Sequence, residues 1–142
     1  NLGVKIDIKH VMECFKKLDK IHDIMLVEGI GGVMTPILEN YAIVNLIKDL
    51  MANTIIVTSS KIGTVNHTIL TCNMCKNMNI PIKGLIINDF DSTGYPISEL
   101  ERDLTALTDL PVLCSLPHME KFNLSDYSSL IQKKVDISAL IS

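Results

Sequence analysis

Thr54-Ile55-Ile56-Val57-Thr58-Ser59-Ser60-Lys61-Ile62-Gly63-Thr64-Val65-Asn66-His67 is the stretch that decides the fold class. Its first five residues are β-branched, the side chains that fit a half-buried pleated surface. Its last residues open a helix through a Gly-Thr step. A strand that runs through a short loop into a helix is half of a βαβ unit. An earlier stretch repeats the strand-then-loop pattern: Ile24-Met25-Leu26-Val27 runs into Glu28-Gly29-Ile30-Gly31-Gly32. The strand expected over residues 23–27 is unbroken in its apolar run from Ile24 to Val27, as expected of a strand buried on both faces.

The flanks carry the alternation outward. Asp7 can cap a helix whose stripe is Ile8, Val11, Met12, Phe15 and Leu18, at helical spacing. Pro36 falls in the loop after the first strand. Asn40 is expected to cap a second helix carrying Ile43, Val44, Ile47, Leu50 and Met51. A third helix is expected over residues 65–78, with Ile69, Leu70, Met74 and Met78 in phase, and Pro81 ends it. A strand at residues 83–88 follows, then a polar turn over residues 91–96. Ser98-Glu99-Leu100-Glu101 matches a capping box ahead of Leu104 and Leu107. A short strand at residues 112–116 ends at Pro117, and a last helix is expected over residues 126–133. Repeats and linkers are absent from the sequence, so residues 1–142 read as a single domain. Alternating strands and helices give right-handed βαβ crossovers and a parallel sheet flanked by helices. Ligands of such sheets sit at the carboxyl ends of the strands.

The composition agrees. The chain has 142 residues, of which 47% are hydrophobic and 20% charged, so it can bury a core and is not of a disordered type. A net charge of −3 gives no basic footprint for nucleic acid. No run reaches the length of a membrane span. The N-terminus reads as a turn and an amphipathic helix rather than a signal peptide, so a cytoplasmic location is expected. Four cysteines are present: Cys14, Cys72, Cys75 and Cys114. The C-x-x-C of Cys72 and Cys75 fits a redox pair or half a zinc site. It also fits two small side chains one turn apart on a helix. No second C-x-x-C exists and His67 is the only nearby histidine, which favours the packing reading.

Four places could carry chemistry. Glu28, directly after an apolar strand, is well placed for Mg²⁺, which takes a few hard oxygens along with phosphates. Gly29, Gly31 and Gly32 let backbone N–H groups approach phosphate; the same residues fit a tight turn. The loop Lys61-Ile62-Gly63-Thr64-Val65-Asn66 opens a helix, where free N–H groups and the helix dipole favour an anion; Thr64 or Asn66 also fits an ordinary N-cap. Asn88 and Asp89 end the third strand, where an amide can give a nucleobase both a donor and an acceptor. Pro117, His118 and Met119 end the fourth strand and could line a base pocket. The sequence shows no partner for His118, which reads as a surface or pocket-lining histidine.

Taken together, these pieces resemble dethiobiotin synthetase. They are Val27-Glu28-Gly29-Ile30-Gly31-Gly32 with Thr35-Pro36, Gly63-Thr64-Val65-Asn66-His67-Thr68 after a strand, Gly84-Leu85-Ile86-Ile87-Asn88, and Leu116-Pro117. The G-T-V-N-H-T stretch is the most specific; the V-E-G-x-G-G piece is shared with cobyrinate-type amidotransferases. The resemblance spans residues 3–119 and implies a P-loop NTPase fold. It implies a homodimeric ligase of biotin synthesis that uses ATP, Mg²⁺ and CO₂ to close the ureido ring on 7,8-diaminononanoate. Glu28 would then ligate Mg²⁺, and Glu28, Gly29, Ile30 and Gly31 would sit at the ATP phosphates. Asn88 and Asp89 would meet adenine, with Pro117, His118 and Met119 at its border. Gly63, Thr64, Val65 and Asn66 would hold the substrate carboxylate, offered across the dimer interface.

The sequence departs from the family pattern in one large way. No G-x-x-x-x-G-K-S/T phosphate loop occurs in it, and the family's catalytic lysines belong with that motif. The chain therefore reads as the C-terminal part of such an enzyme, without catalytic residues of its own and inactive in phosphoryl transfer by itself, since the P-loop lysine supplies much of the charge that this chemistry needs. Ile30 stands where a small residue is usual, and His118 where an aromatic or apolar group is expected. The competing reading is a non-catalytic regulatory domain of the same fold, such as precedes some phosphotransacetylases.

Overall fold

Asp7 caps the first helix with its own side chain, which accepts a hydrogen bond from the His10 amide at 3.2 Å. In this computed structural model, residues 5–90, 93–121, 123–136 and 140 are described. Helix α1 (Ile8–Asp19) carries the expected stripe, but none of its residues is buried. Cα positions group the chain into two compact units, divided between Met51 and Ala52.

The first unit corrects the sequence reading in two places. Residues 24–29 form no strand, and Leu26 is 91% exposed, although the run Ile24-Met25-Leu26-Val27 reads as a buried strand. Apolarity raises the tendency to be covered, but a strand exists only through hydrogen bonds to a neighbour. The one ladder among the described residues of this unit is an antiparallel hairpin of β1 (Pro36–Leu38) and β2 (Tyr41–Ala42), which turns at Glu39-Asn40. Helix α2 (Ile43–Leu50) follows directly. Its capping group is Asn45, whose side-chain oxygen accepts from the Ala42 amide at 2.8 Å, while Asn40 lies in the hairpin turn. Ile43, Val44 and Leu50 bury one face of α2, and the Tyr41 hydroxyl donates to Asp49 at 2.6 Å.

The second unit follows the expected alternation: β3 (Thr54–Thr58), α3 (Thr64–Asn77), β4 (Ile82–Phe90), α4 (Ile97–Thr108), β5 (Val112–Pro117) and α5 (Leu124–Lys134). The three strands form a parallel sheet in the order β3-β4-β5. Leu85 and Ile87 of β4 point to one face, where Ile56, Cys72, Leu100 and Leu104 join them in the core. Cys114 and Leu116 pack on Val135 in a second cluster, with Tyr127, Leu130 and Ile131 of α5 against it. This is the α/β class expected, with helices flanking a parallel sheet.

Within β4 the register skips a residue: Thr54 pairs with Ile82 and Ile55 with Gly84. Gly84 sits where β5 begins alongside, and a Cβ there would lie 2.8 Å from the Pro111 carbonyl oxygen and 2.7 Å from Leu113 Cγ. Only glycine fits that approach without something shifting.

The capping box expected at Ser98 and Glu101 does not form. Helix α4 starts at Ile97 after Pro96, with no side-chain cap, so Ser98 is already inside the first turn. Glu101 instead accepts from the Ser115 hydroxyl of β5 at 2.5 Å. Of the expected polar turn over residues 91–96, residues 91 and 92 lie outside the described set, and Tyr95 is tied by its amide to the Ser60 carbonyl at 2.7 Å. The Lys76 ammonium of α3 donates to the Thr108 carbonyl at the end of α4, at 2.7 Å.

Cys72 and Cys75 are both buried on α3, and the described residues hold no group of three His, Cys, Asp or Glu side chains fit for a metal. Burial pushes the thiols of Cys72, Cys75 and Cys114 up, with Lys76 pulling Cys72 and Lys134 pulling Cys114 part of the way back. The packing reading of the C-x-x-C therefore has the structural support. The expected outcome with iodoacetamide at neutral pH is rapid labelling of the exposed Cys14, with the other three labelled only on unfolding. Peptide mass mapping over time checks this, and early labelling of Cys72 or Cys75 would count against it.

Candidate functional site

The carboxyl ends of the three strands bring the residues singled out in the second unit into two groups. The first group is the loop after β3. Thr58 Oγ1 lies 2.5 Å from Thr64 Oγ1 and 2.9 Å from Thr68 Oγ1, and the Thr64 hydroxyl donates to the Ser59 carbonyl at 2.8 Å. A hydroxyl has one proton, so these contacts fix the order. With the Thr64 proton on the Ser59 carbonyl, Thr58 donates to Thr64 and Thr68 donates to Thr58. This chain of hydroxyls pins the strand end, the loop and the first turns of α3 together.

Gly63 is the residue before α3, at φ +92°, a backbone region that side chains other than glycine rarely adopt. The Thr64 amide closes the turn onto the Lys61 carbonyl at 3.1 Å, and no side chain caps the helix. The first-turn amides therefore keep the partial positive charge of an uncapped helix N-terminus. Gly63, Thr64, Val65 and Asn66 all line one cleft of about 560 Å³, with Lys61, Ile62, Ile69 and Tyr95. The Thr64 hydroxyl is turned inward to the network, so this residue can offer the cleft its helix-start position rather than its side chain. Asn66 is exposed. Ser60, in the same loop, is buried, and its hydroxyl has no partner among the described residues.

The second group lies at the ends of β4 and β5. Phe90 pairs with Pro117, which places Asn88 and Asp89 beside Pro117, His118 and Met119. The His118 amide donates to the Phe90 carbonyl at 2.8 Å, and His118 Nδ1 lies 2.7 Å from Asp89 Oδ1. Asp89 has φ +60°. The sequence reading named both residues and missed their pairing, because they are 29 positions apart. The signal available was topological: both stand at the carboxyl ends of strands expected to be parallel.

Glu28, Gly29, Ile30 and Gly31 belong to the first unit, in the irregular segment between α1 and β1. Glu28 is exposed and Gly31 has φ +69°. A Cβ on Gly31 would lie 2.8 Å from Thr35 Oγ1, so the turn closes against that hydroxyl. One exposed carboxylate with glycines beside it fits the protein's share of a Mg²⁺ site, because Mg²⁺ takes few protein ligands and completes its shell with water and phosphate oxygens.

The three-stranded parallel sheet flanked by helices is an α/β fold of the P-loop NTPase type. A family model described as AAA domain matches residues 1–124, and the chain belongs to that family. Among its curated relatives is the ATP-dependent dethiobiotin synthetase of Nitrosopumilus maritimus, 49% identical over 141 residues, covering 99% of this chain and 62% of that protein. The synthetases of Thermodesulfovibrio yellowstonii and Bacillus velezensis are 36% and 32% identical, over 98% and 99% of this chain and 62% and 60% of theirs. The chain thus spans about three-fifths of the length of these relatives. Among the described residues, no helix is long and apolar enough to cross a membrane.

Proposed function

We propose that this chain is the C-terminal part of one dethiobiotin synthetase domain, a ligase of biotin synthesis that works in the cytoplasm as a homodimer. The observation that carries the reading is the uncapped start of α3 at Gly63, set in a cleft that Gly63, Thr64, Val65 and Asn66 of the most specific stretch of the resemblance line together. Similarity to the synthetase of Nitrosopumilus maritimus across nearly the whole chain supports it.

In this reading the start of α3, through Gly63, Thr64, Val65 and Asn66, holds the carboxylate of 7,8-diaminononanoate, with the partner subunit completing the site. One substrate amine captures CO₂ as a carbamate. ATP phosphorylates the carbamate oxygen. The second amine attacks the carbonyl carbon and expels phosphate, which closes the ureido ring. Asn88 meets the adenine, with Asp89 next to it and Pro117, His118 and Met119 at its border. By the same resemblance, Glu28, Gly29, Ile30 and Gly31 would serve the phosphates, and Glu28 is the residue that would hold Mg²⁺. That ion would supply positive charge to the phosphate oxygens. Residues 1–142 hold no phosphate-loop lysine, so phosphoryl transfer is expected to be negligible with these residues alone.

The test is thermal unfolding of the full-length protein with and without 7,8-diaminononanoate and, separately, MgATP. A ligand at 100 times its Kd stabilises by roughly 2.7 kcal/mol, a shift of several degrees. Gly63→Val should remove the diaminononanoate shift and leave the MgATP shift, because the substitution forces a side chain into a φ that resists it. No shift with diaminononanoate would overturn the ligase reading in favour of a non-catalytic module of the same fold.

A further inference from the structure

Asp89 and His118 hold each other on the exposed rim of the sheet in a way that fold stability does not explain. Each is about half-exposed, and an exposed ion pair adds little to fold stability. Asp89 meanwhile sits at φ +60°, inside the run assigned to β4, a left-handed backbone that is unfavourable at a residue other than glycine. The ion pair at best offsets that cost. Strained backbone that stability does not repay gathers where a side chain must be aimed.

What is aimed is the imidazole. His118 is fixed at two points by consecutive residues of the neighbouring strand: its amide on the Phe90 carbonyl at 2.8 Å, and its ring nitrogen on Asp89 at 2.7 Å. A ring fixed at both backbone and edge is a preset planar surface, at the strand ends where a parallel sheet takes its ligand. From this geometry we infer that Asp89 is a positioning residue: it sets the plane of the His118 ring as a stacking wall for a nucleobase. Asp89 then acts on nucleotide affinity through His118 and not by its own contact. The inference rests on the nucleotide-binding reading proposed above and refines the role of Asp89 within it.

A double-mutant cycle tests it. MgATP affinity of the full-length protein is measured by calorimetry for wild type, Asp89→Gly, His118→Phe, His118→Ala and the double variant Asp89→Gly/His118→Phe; glycine keeps the left-handed backbone and removes the carboxylate. Base-on-ring stacking predicts about a tenfold loss for His118→Ala, and about a threefold loss for His118→Phe, which keeps a ring that Asp89 cannot hold. Asp89→Gly should cost about threefold in the wild-type background and nothing in the His118→Phe background, since phenylalanine has no nitrogen for Asp89 to hold. An equal loss in both backgrounds would overturn the inference, because Asp89 would then act independently of His118. Full retention of affinity in His118→Ala would overturn it as well. Failure of the wild-type protein to bind MgATP at all would sink the nucleotide reading and this inference with it, a result distinct from the other two. Circular dichroism of each variant guards against misfolding.

Discussion

Gly84→Val is expected to unfold at a urea concentration lower by roughly 1–2 M than wild type, a loss of about 3 kcal/mol. The reason is local and steric. The first added carbon would lie 2.8 Å from the Pro111 carbonyl oxygen and 2.7 Å from Leu113 Cγ, and valine adds two methyl groups beyond it. Leu113 can shift, but the Pro111 carbonyl accepts the Leu85 amide at 2.9 Å, so it cannot withdraw without opening the ladder between β4 and β5. Gly84→Ala meets the same two atoms with one carbon and should lose less. Equilibrium urea denaturation followed by far-ultraviolet circular dichroism measures both. A valine variant as stable as wild type would mean that the two strands can move apart freely at this point.

The second large effect is expected from Leu104→Ala. Leu104 has no exposed surface and lies in the cluster with Ile56, Cys72, Leu85, Ile87 and Leu100. Truncating a buried leucine costs roughly 2–5 kcal/mol, from lost burial and from the cavity that remains. Here α4 is tied on both sides of Leu104, through Glu101 to β5 and through the Thr108 carbonyl to Lys76, so the site can collapse little and the cost should fall near the middle of that range. Leu107 of the same helix is 58% exposed, and Leu107→Ala should change stability by under about 0.5 kcal/mol. Comparable losses for the two variants would show that α4 does not carry the core in the way its burial implies.

The second unit was legible in the sequence because each signal there had a single physical cause. A β-branched run at Thr54–Thr58 made a strand, a strand feeding a Gly-Thr step made a loop and a helix, and the alternation made the sheet parallel. The first unit was less legible. Ile24-Met25-Leu26-Val27 has the composition of a buried strand, but composition does not supply the neighbour that a strand needs. The hairpin at Pro36–Ala42 is too short for its own periodicity to show, and it moved the helix cap from Asn40 to Asn45. Capping was misread a second time at Ser98 because Pro96 lets the helix start earlier than the box pattern assumes. In the candidate site, adjacency along the chain was readable, as in Gly63 to Asn66. Adjacency across the sheet is not, which is why the direct contact between His118 and Asp89 is visible only in the structure.

The run of hydroxyls from Thr68 through Thr58 and Thr64 to the Ser59 carbonyl bears on the kinetics of whatever enters the cleft. These bonds are made before any ligand arrives, so the backbone turn at the mouth of the cleft does not have to be built on binding. Related ligands are then expected to differ in residence time more than in rate of capture.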